Sequence, residues 1–430
     1  MATALEREKG ARRPLAENQE DGGAIASLFS SSSPSDSEGS QPGGPYDAGL
    51  ELFLAKSQLA AYESHRAMFE AYGGGKYNAT GVIQWMLNSG LPQHIWHLFD
   101  WFLDGGGSYF GSQRALEPLH AQFDAYDGTL RVVNSAYEDS EQRLGLTARL
   151  FALNGVEVPL PALATAGSSS LAPALMKSTS FAVSSTSTYF NVGAVPSDGV
   201  VELGRLDLAQ LRQAAVDHGG VVLLRLDLAV ASPSPSSLSS DGAANGAKKI
   251  NSAVGAAAPK PNTYWLSHKP DAVDWDECNF YMCNISAAAD YSGLDALPSV
   301  RGQLAAQVAG ESAPCEPFGS LSGTSSGDVG AGSGIAGRGR VVDPQGSGSG
   351  GPPSSTSWWC TDVTVANAAC GAVAFFVHVR LLGEPGVVFW DDNFVTLLAN
   401  ETRTLKAVTA APLGAHTAAA ADAYNSLVAP

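Results

Sequence analysis

Residues 69–120, FEAYGGGKYNATGVIQWMLNSGLPQHIWHLFDWFLDGGGSYFGSQRALEPLH, mark where the chain changes character. Just before and into this stretch, Leu52, Leu59, Tyr62, Phe69 and Tyr72 recur at steps of seven and three. That spacing predicts one face of an amphipathic helix over 47–72, ended by Gly73, Gly74 and Gly75. TGVIQWML (80–87) is short and nearly all apolar, the pattern of a strand buried on both faces of a parallel sheet. Asn88, Ser89, Gly90 and Pro92 break it. In LPQHIWHLFDWFL (91–103), Ile95, Leu98, Phe99 and Phe102 fall at i, i+3, i+4 and i+7, which predicts a second helix. Helix, buried strand, helix is a fragment of an α/β fold, too small to stand alone because one strand has no sheet.

Beyond Gly105–Gly107 the pattern is all-β. Strands are predicted at 129–136, 145–153, 156–160, 187–195, 220–230 and 262–268. Leu146, Ala148, Leu150 and Ala152 alternate with Thr147, Arg149 and Phe151, and Asn154-Gly155 signals a two-residue hairpin. Several short strands in this span imply an Ig-like sandwich, interrupted by a Ser/Pro/Ala-rich insert at 231–261. A second β region has predicted strands at 278–285, 361–367, 372–382, 386–390 and 401–408. A Gly/Ser tract at 319–357 divides it and cannot bury a core. No fixed-period repeat is visible.

Composition agrees with folded pieces separated by inserts. Gly and Pro supply 47 and 24 of the 430 residues, charged residues are only 16%, and hydrophobic residues reach 44%. The polar first 46 residues read as a disordered leader without the apolar core of a signal peptide, and the Ala-rich tail from 410 is expected to fray. Forty-two acidic against 25 basic residues give a net charge of −17, which argues against a nucleic-acid or anionic-membrane surface. The most apolar stretch, Val365–Leu382, carries Asn367, His378 and Arg380, so it reads as strands and not as a membrane span. Five Cys, at 278, 283, 315, 360 and 370, show no disulfide framework and no CxxC metal pair. N-x-S/T sequons start at Asn78, Asn284 and Asn400, about the number that a Ser-rich chain carries by chance.

The densest cluster of unusual residues is 80–110, with Trp85, Asn88, Trp96, Asp100, Trp101, Tyr109 and Phe110. Such rings can stack on the apolar faces of a sugar, or simply fill a helix–strand core. The wording of 69–120 resembles the end of the catalytic barrel in the exo-β-D-glucosaminidases of glycoside hydrolase family 2, relatives of the β-mannosidases. VVFWDDNFVTLLANETRTLKAV (387–408) resembles the last Ig-like domain of that subfamily, and YWLSHKPDAVDW (264–275) the junction of its two final β domains. The resemblance covers about 48–160, 187–230, 262–300 and 358–408, in the family's order.

The resemblance implies a mainly β chain: two Ig-like β-sandwiches preceded by the last helix–strand–helix of a (β/α)8 barrel, with disordered inserts. The expected segments are a leader at 1–46, a barrel remnant at 47–118, and sandwiches at 119–274 and 275–409, with a flexible tail at 410–430. Barrel active sites lie at the C-terminal strand ends. The resemblance therefore places Trp85 at the subsite for the terminal sugar and Asn88 at the pocket rim. The implied reaction is retaining hydrolysis of terminal β-linked glucosamine from chitosan-type oligosaccharides, with an oligosaccharide partner and no cofactor. Retaining glycosidases use two carboxylates about 5–5.5 Å apart. In the family these come from earlier barrel strands, so no catalytic residue is assigned in this chain, which is expected to be inactive without the missing barrel half. An extracellular or vacuolar/lysosomal site is implied for a full-length protein. A non-catalytic carbohydrate-binding or interaction protein of two sandwiches is the alternative, motivated by Trp358, Trp359, Trp390, Asp391 and Asp392, which also fit core and edge packing.

Other candidates read as structural. Glu63 and Glu70 are seven apart on the first helix and read as a solvated face. His94, His97 and Asp100 lack a third strong ligand or a Cys pair for metal. Glu117 and His120 read as the barrel-to-sandwich connection. GSGSGG and GAGSGIAGRGR read as linker, since no strand precedes and no GK[ST] follows. The helices of 48–118 are expected to expose their aromatic faces and to be lost to protease, leaving a core from about 119.

Overall fold

A computed structural model describes residues 48–78, 81–92, 97–140, 144–163, 181–183, 186–230, 259–279, 283–315, 358–369, 371–383 and 386–428. The predicted leader, the 319–357 tract and all but the last three residues of the 231–261 insert lie outside them. The described chain starts with α1 (Ala48–Gly74) and, after an irregular segment, α2 (Gly107–Ala115). Next come β1 (Leu119–Phe123), β2 (Thr129–Asn134), β3 (Leu144–Ala152), β4 (Glu157–Val158), β5 (Phe181–Val183), β6 (Ser187–Gly193) and β7 (Gly199–Arg205). A short helix, α3 (Leu208–Asp217), leads to β8 (Val221–Val230) and β9 (Asn262–Ser267). These strands form two antiparallel sheets, β1-β2-β7 and β5-β6-β3-β8-β9, with β4 hairpinned onto β3. The hairpin turns at Asn154-Gly155 as predicted, with Gly155 at φ +80. Its N–H donates to the Ala152 carbonyl at 2.9 Å.

Alternation explains how the sandwich is filled. Leu146, Ala148 and Leu150 of β3 face Leu224 and Leu226 of β8 within one core, all fully buried. The opposite face of the same two strands is also apolar at one end, where Phe151, Val221 and Leu223 join a second core. That second core belongs to the following domain and to α1.

The second β region contains β10 (Ala272–Asp274) and β11 (Asn284–Ala287), a small antiparallel pair. It continues with β12 (Leu304–Cys315), β13 (Trp358–Asn367), β14 (Ala374–Leu382), β15 (Phe389–Trp390), β16 (Val395–Leu397), β17 (Thr402–Thr409), β18 (Ala418–Asp422) and α4 (Tyr424–Leu427). They make sheets β12-β13-β17-β15 and β16-β14-β18. The molecule is mainly β, as the sequence predicts, and among its described residues no helix is long and apolar enough to cross a membrane.

Six expectations are overturned. TGVIQWML forms no strand: its described part, from Gly81, is irregular, with bends at Trp85 and Leu87, and Ile83 is 89% exposed. A parallel strand needs neighbours to accept its hydrogen bonds, and no second barrel strand is present among the described residues. The predicted helix over 91–103 is not formed at 97–103, where the Asp100 carboxylate accepts the Phe102 and Asp104 N–H groups at 2.8 and 3.0 Å. This local side-chain bond replaces helical backbone bonds. Of the strand expected over 278–285, Cys278, Asn279 and Cys283 are irregular, residues 280–282 lie outside the described residues, and β11 starts at Asn284. The tail from 410 does not fray: β18 pairs with β14, and the side chain of Asn425 is fully buried, accepting from the Phe375 N–H. Cys278–Cys283 and Cys315–Cys360 are disulfides. Strand pairing brings the second pair together, since Cys315 lies opposite Trp358 and Ala313 opposite Cys360 across β12 and β13.

The sixth correction concerns α1. Its apolar face is not left bare but docks between the two β domains. Leu59 and Tyr62 are buried, and the Tyr62 ring meets Phe376 edge-on at 5.5 Å and Trp265 at 6.0 Å. α2 crosses α1 without side chains between them at two points. A Cβ on Gly107 would lie 2.0 Å from the Gln58 carbonyl oxygen, and one on Gly111 2.2 Å from that of Tyr62.

Candidate functional site

The sequence places its sugar-site residues on 81–92, and that segment is solvent-facing. Trp85 is 71% exposed, and Val82, Leu87 and Leu91 are also exposed. An isolated parallel bridge joins Asn88 of the segment to Phe99. The Phe99 N–H donates to the Leu87 carbonyl at 3.0 Å, and the Ser89 N–H to the Phe99 carbonyl at 3.3 Å. Asn88 is exposed, its amide donating to the Ser89 carbonyl at 3.4 Å. Trp85 and Asn88 are three positions apart, separated by bends at Trp85 and Leu87. Trp101 and Phe102 are exposed on the following turn. Among the described residues this is an open, aromatic-rich face.

Of the metal candidates, His94 lies outside the described residues. The Asp100 carboxylate is occupied by the two backbone N–H groups of its turn. The His97 carbonyl accepts the Ser108 hydroxyl at 2.6 Å, fixing the turn to α2. Among the described residues no group of three or more His, Cys, Asp or Glu could hold a metal.

Glu63 and Glu70 do not form a solvated face. Glu70 is buried, where it accepts from the Tyr264 hydroxyl at 2.8 Å and the Asn262 amide at 2.8 Å. Arg66, one turn away and fully buried, donates to the Asn262 carbonyl-type oxygen at 3.0 Å and to the Thr263 backbone at 2.5 Å. It also pairs with Glu63 and lies 4.1 Å over the Tyr264 ring. Burial pushes the Glu70 carboxyl up to about 7, against the opposing pull of Arg66 and the two hydrogen bonds. The partners Asn262 and Tyr264 lie on β9, nearly 200 positions away, so a sequence pattern cannot show them. The cluster fastens α1 to the first sandwich.

A second polar junction fastens α2 to the last sandwich. Arg114 donates to Asp392 at 2.6 Å and to Glu117 at 2.9 Å, with every one of these side chains largely buried. Burial would raise the Asp392 carboxyl, but Arg114, Lys260 and Arg403 bring it below its ordinary value. His120 is buried, with Nδ1 on the Glu117 carbonyl at 2.7 Å, and burial pushes its imidazole down to about 4. The acids of the Trp390-Asp391-Asp392 stretch are therefore structural: Asp391 accepts the Lys406 N–H at 2.7 Å. Trp390 is 7% exposed, and Trp358 is half-buried against Phe389. Trp390 thus belongs to the core, while Trp358 and Trp359 are partly exposed. A cavity of about 20 Å³ lies between these layers, lined by Tyr62, Arg114, Thr396 and Arg403, with room for a water and no sugar.

No family model matches the chain. An exo-β-D-glucosaminidase of Streptomyces avermitilis is 30% identical over 371 residues, covering 83% of this chain and 30% of that protein. One of Amycolatopsis orientalis is 28% identical over 370 residues, covering 84% and 26%. The solved exo-chitosanase of Amycolatopsis orientalis superposes with a TM-score of 0.58 at 22% identity, over 87% of this chain and 34% of its own. The same exo-chitosanase has been solved with a p-nitrophenyl β-D-glucosamine ligand, at a TM-score of 0.56. The chain thus spans about a third of the length of the relatives it matches.

Proposed function

Because the chain is a homologue of the exo-β-D-glucosaminidases along most of its length, we propose that it is the C-terminal part of a retaining glycosidase of that kind. The whole protein removes terminal β-linked glucosamine from chitosan-type oligosaccharides. Trp85 stacks on the terminal sugar, and Asn88 lies at the rim of its pocket. Residues 47–118 close the catalytic barrel, and the two sandwiches occupy 119–274 and the region from 275 onward. The nucleophile and the acid/base come from barrel strands outside this sequence. Glu63 and Glu70 cannot replace them, since their carboxylates serve Arg66, Asn262 and Tyr264.

One observation carries this reading: the exposed segment 81–91 is strand-like in composition yet has no sheet. Its apolar side chains are those of a buried barrel strand, and an incomplete barrel leaves them bare. The stated chemistry suits a cationic amine, which an acidic protein attracts.

The test is the native size of the protein, read with an antibody against residues 119–230, together with its activity on an aryl β-glucosaminide. A band well above 44.4 kDa with glucosaminidase activity is expected. In that protein Trp85→Ala lowers kcat/KM by roughly tenfold to a hundredfold, the loss of one stacking contact of about 1–3 kcal/mol. A native band at the mass of this chain, or full activity in Trp85→Ala, refutes the reading.

A further inference from the structure

We propose that Asn400 carries an N-linked glycan. Asn400-Glu401-Thr402 is an acceptor sequence, and its folded geometry suits attachment. It forms the turn between β16 and β17, closed by the Glu401 N–H donating to the Leu398 carbonyl at 3.1 Å. Asn400 occupies the position with φ +61, where Asn and Gly are favoured, and this alone would account for an Asn. Two further observations go beyond that explanation.

The first is the division of labour along the three residues. Asn400 and Thr402 are both exposed, whereas Glu401 between them turns inward. Its carboxylate accepts from Arg225 at 2.6 and 2.9 Å and from Arg403 at 3.2 Å. The Asn400 amide has no hydrogen-bond partner among the described residues. A sugar on it therefore displaces no hydrogen bond among the described residues, while Glu401 holds the turn outward. Asn284 differs: its amide donates to Glu277 at 2.9 Å beside the Cys278–Cys283 bridge. Thr80, which completes the sequon of Asn78, is outside the described residues.

The second observation is redox. The Cys278–Cys283 and Cys315–Cys360 disulfides place folding in an oxidising compartment, where N-glycosylation also takes place. In the transfer, the Asn400 amide nitrogen bonds to the anomeric carbon of an oligosaccharide carried on a lipid diphosphate. The anomeric carbon–oxygen bond to the diphosphate breaks. The lipid diphosphate leaves with the electron pair of that bond, and the amide gives up one proton. No oxidation or reduction occurs.

The experiment captures the native chain and releases glycans with an Asn-cleaving amidase in heavy-oxygen water. The peptide containing residue 400 should return as heavy-oxygen Asp. Unlabelled Asn400 in a chain with Cys315–Cys360 intact overturns the proposal, as does label at Asn284 without label at Asn400. In a secreting eukaryotic host, Thr402→Ala should abolish the label at 400 as completely as Asn400→Gln. Thr402 is exposed, so that variant is expected to fold, and label that persists in it also overturns the proposal. Neither result depends on glycosidase activity.

Discussion

Glu70 is a carboxyl sealed against water by α1, β1 and β9. Its folded value lies above the ordinary 4.5, at about 7, because burial disfavours the charge. A raised folded value sets the sign: the contribution to stability is complete below about pH 4.5 and is lost as pH rises through about 7. From about pH 5 to about pH 7 this amounts to roughly 2 kcal/mol. Glu70→Gln keeps an amide that can bond Tyr264 and removes the titration. Chemical denaturation at several pH values should therefore find a slope in the parent that is absent from Glu70→Gln; equal slopes would show that the carboxyl stays ionised beside Arg66. The same residue shows what a sequence withholds. Its spacing from Glu63 matches a wet helix face, and only the partners on β9 reveal that the face is dry.

The α1–α2 crossing depends on missing side chains. Gly111→Ala would drive a methyl into the Tyr62 backbone carbonyl, which cannot rotate away, so relief requires the helices to part. We expect a loss of about 1–3 kcal/mol in denaturant melts. Gly81→Ala, which meets nothing within 4 Å, should be neutral on the same assay. Limited proteolysis should cut first within 76–105, and α1 should stay bound to the sandwiches through Tyr62, Phe376 and Trp265 after the cut. Loss of α1 on size exclusion would contradict this docking.

Legibility followed the same physics. β3, β8, β13, β14 and β17 were readable because apolar side chains alternate on faces that bury them. β12 was not, since AAQVAGESAP leaves mostly small or exposed side chains and its pairing comes from register with β13. β18 is nearly all Ala, which carries no period. In 81–91 composition pointed to a barrel strand while the fold supplies no sheet, and the candidate Trp85 is legible through resemblance and not through spacing.

Across the whole molecule, covalent and polar ties join distant segments. Cys315–Cys360 closes a span of 45 positions at the base of the Gly/Ser tract. Loop-closure entropy makes such a bond worth about 4 kcal/mol, and more than the five-position span of Cys278–Cys283. The paired Cys315→Ser, Cys360→Ser variant should melt earlier than the parent, and a reductant should bring the parent's melting point down toward that of the variant. A variant that melts at the parent temperature would show that β12 and β13 need no staple.

The docking of α1 also has a consequence in time. Tyr62 finds Phe376 only after 314 more residues have been added to the growing chain. At about 5–20 residues per second, a ribosome takes roughly 15–60 s to supply that partner. Until then the helix can pack on α2, at Gly107 and Gly111, and on Trp265, but the Tyr62 edge that meets Phe376 stays uncovered. The helix therefore completes its docking last, and a binder of apolar segments is expected to associate with unfinished chains for longer when translation is slowed.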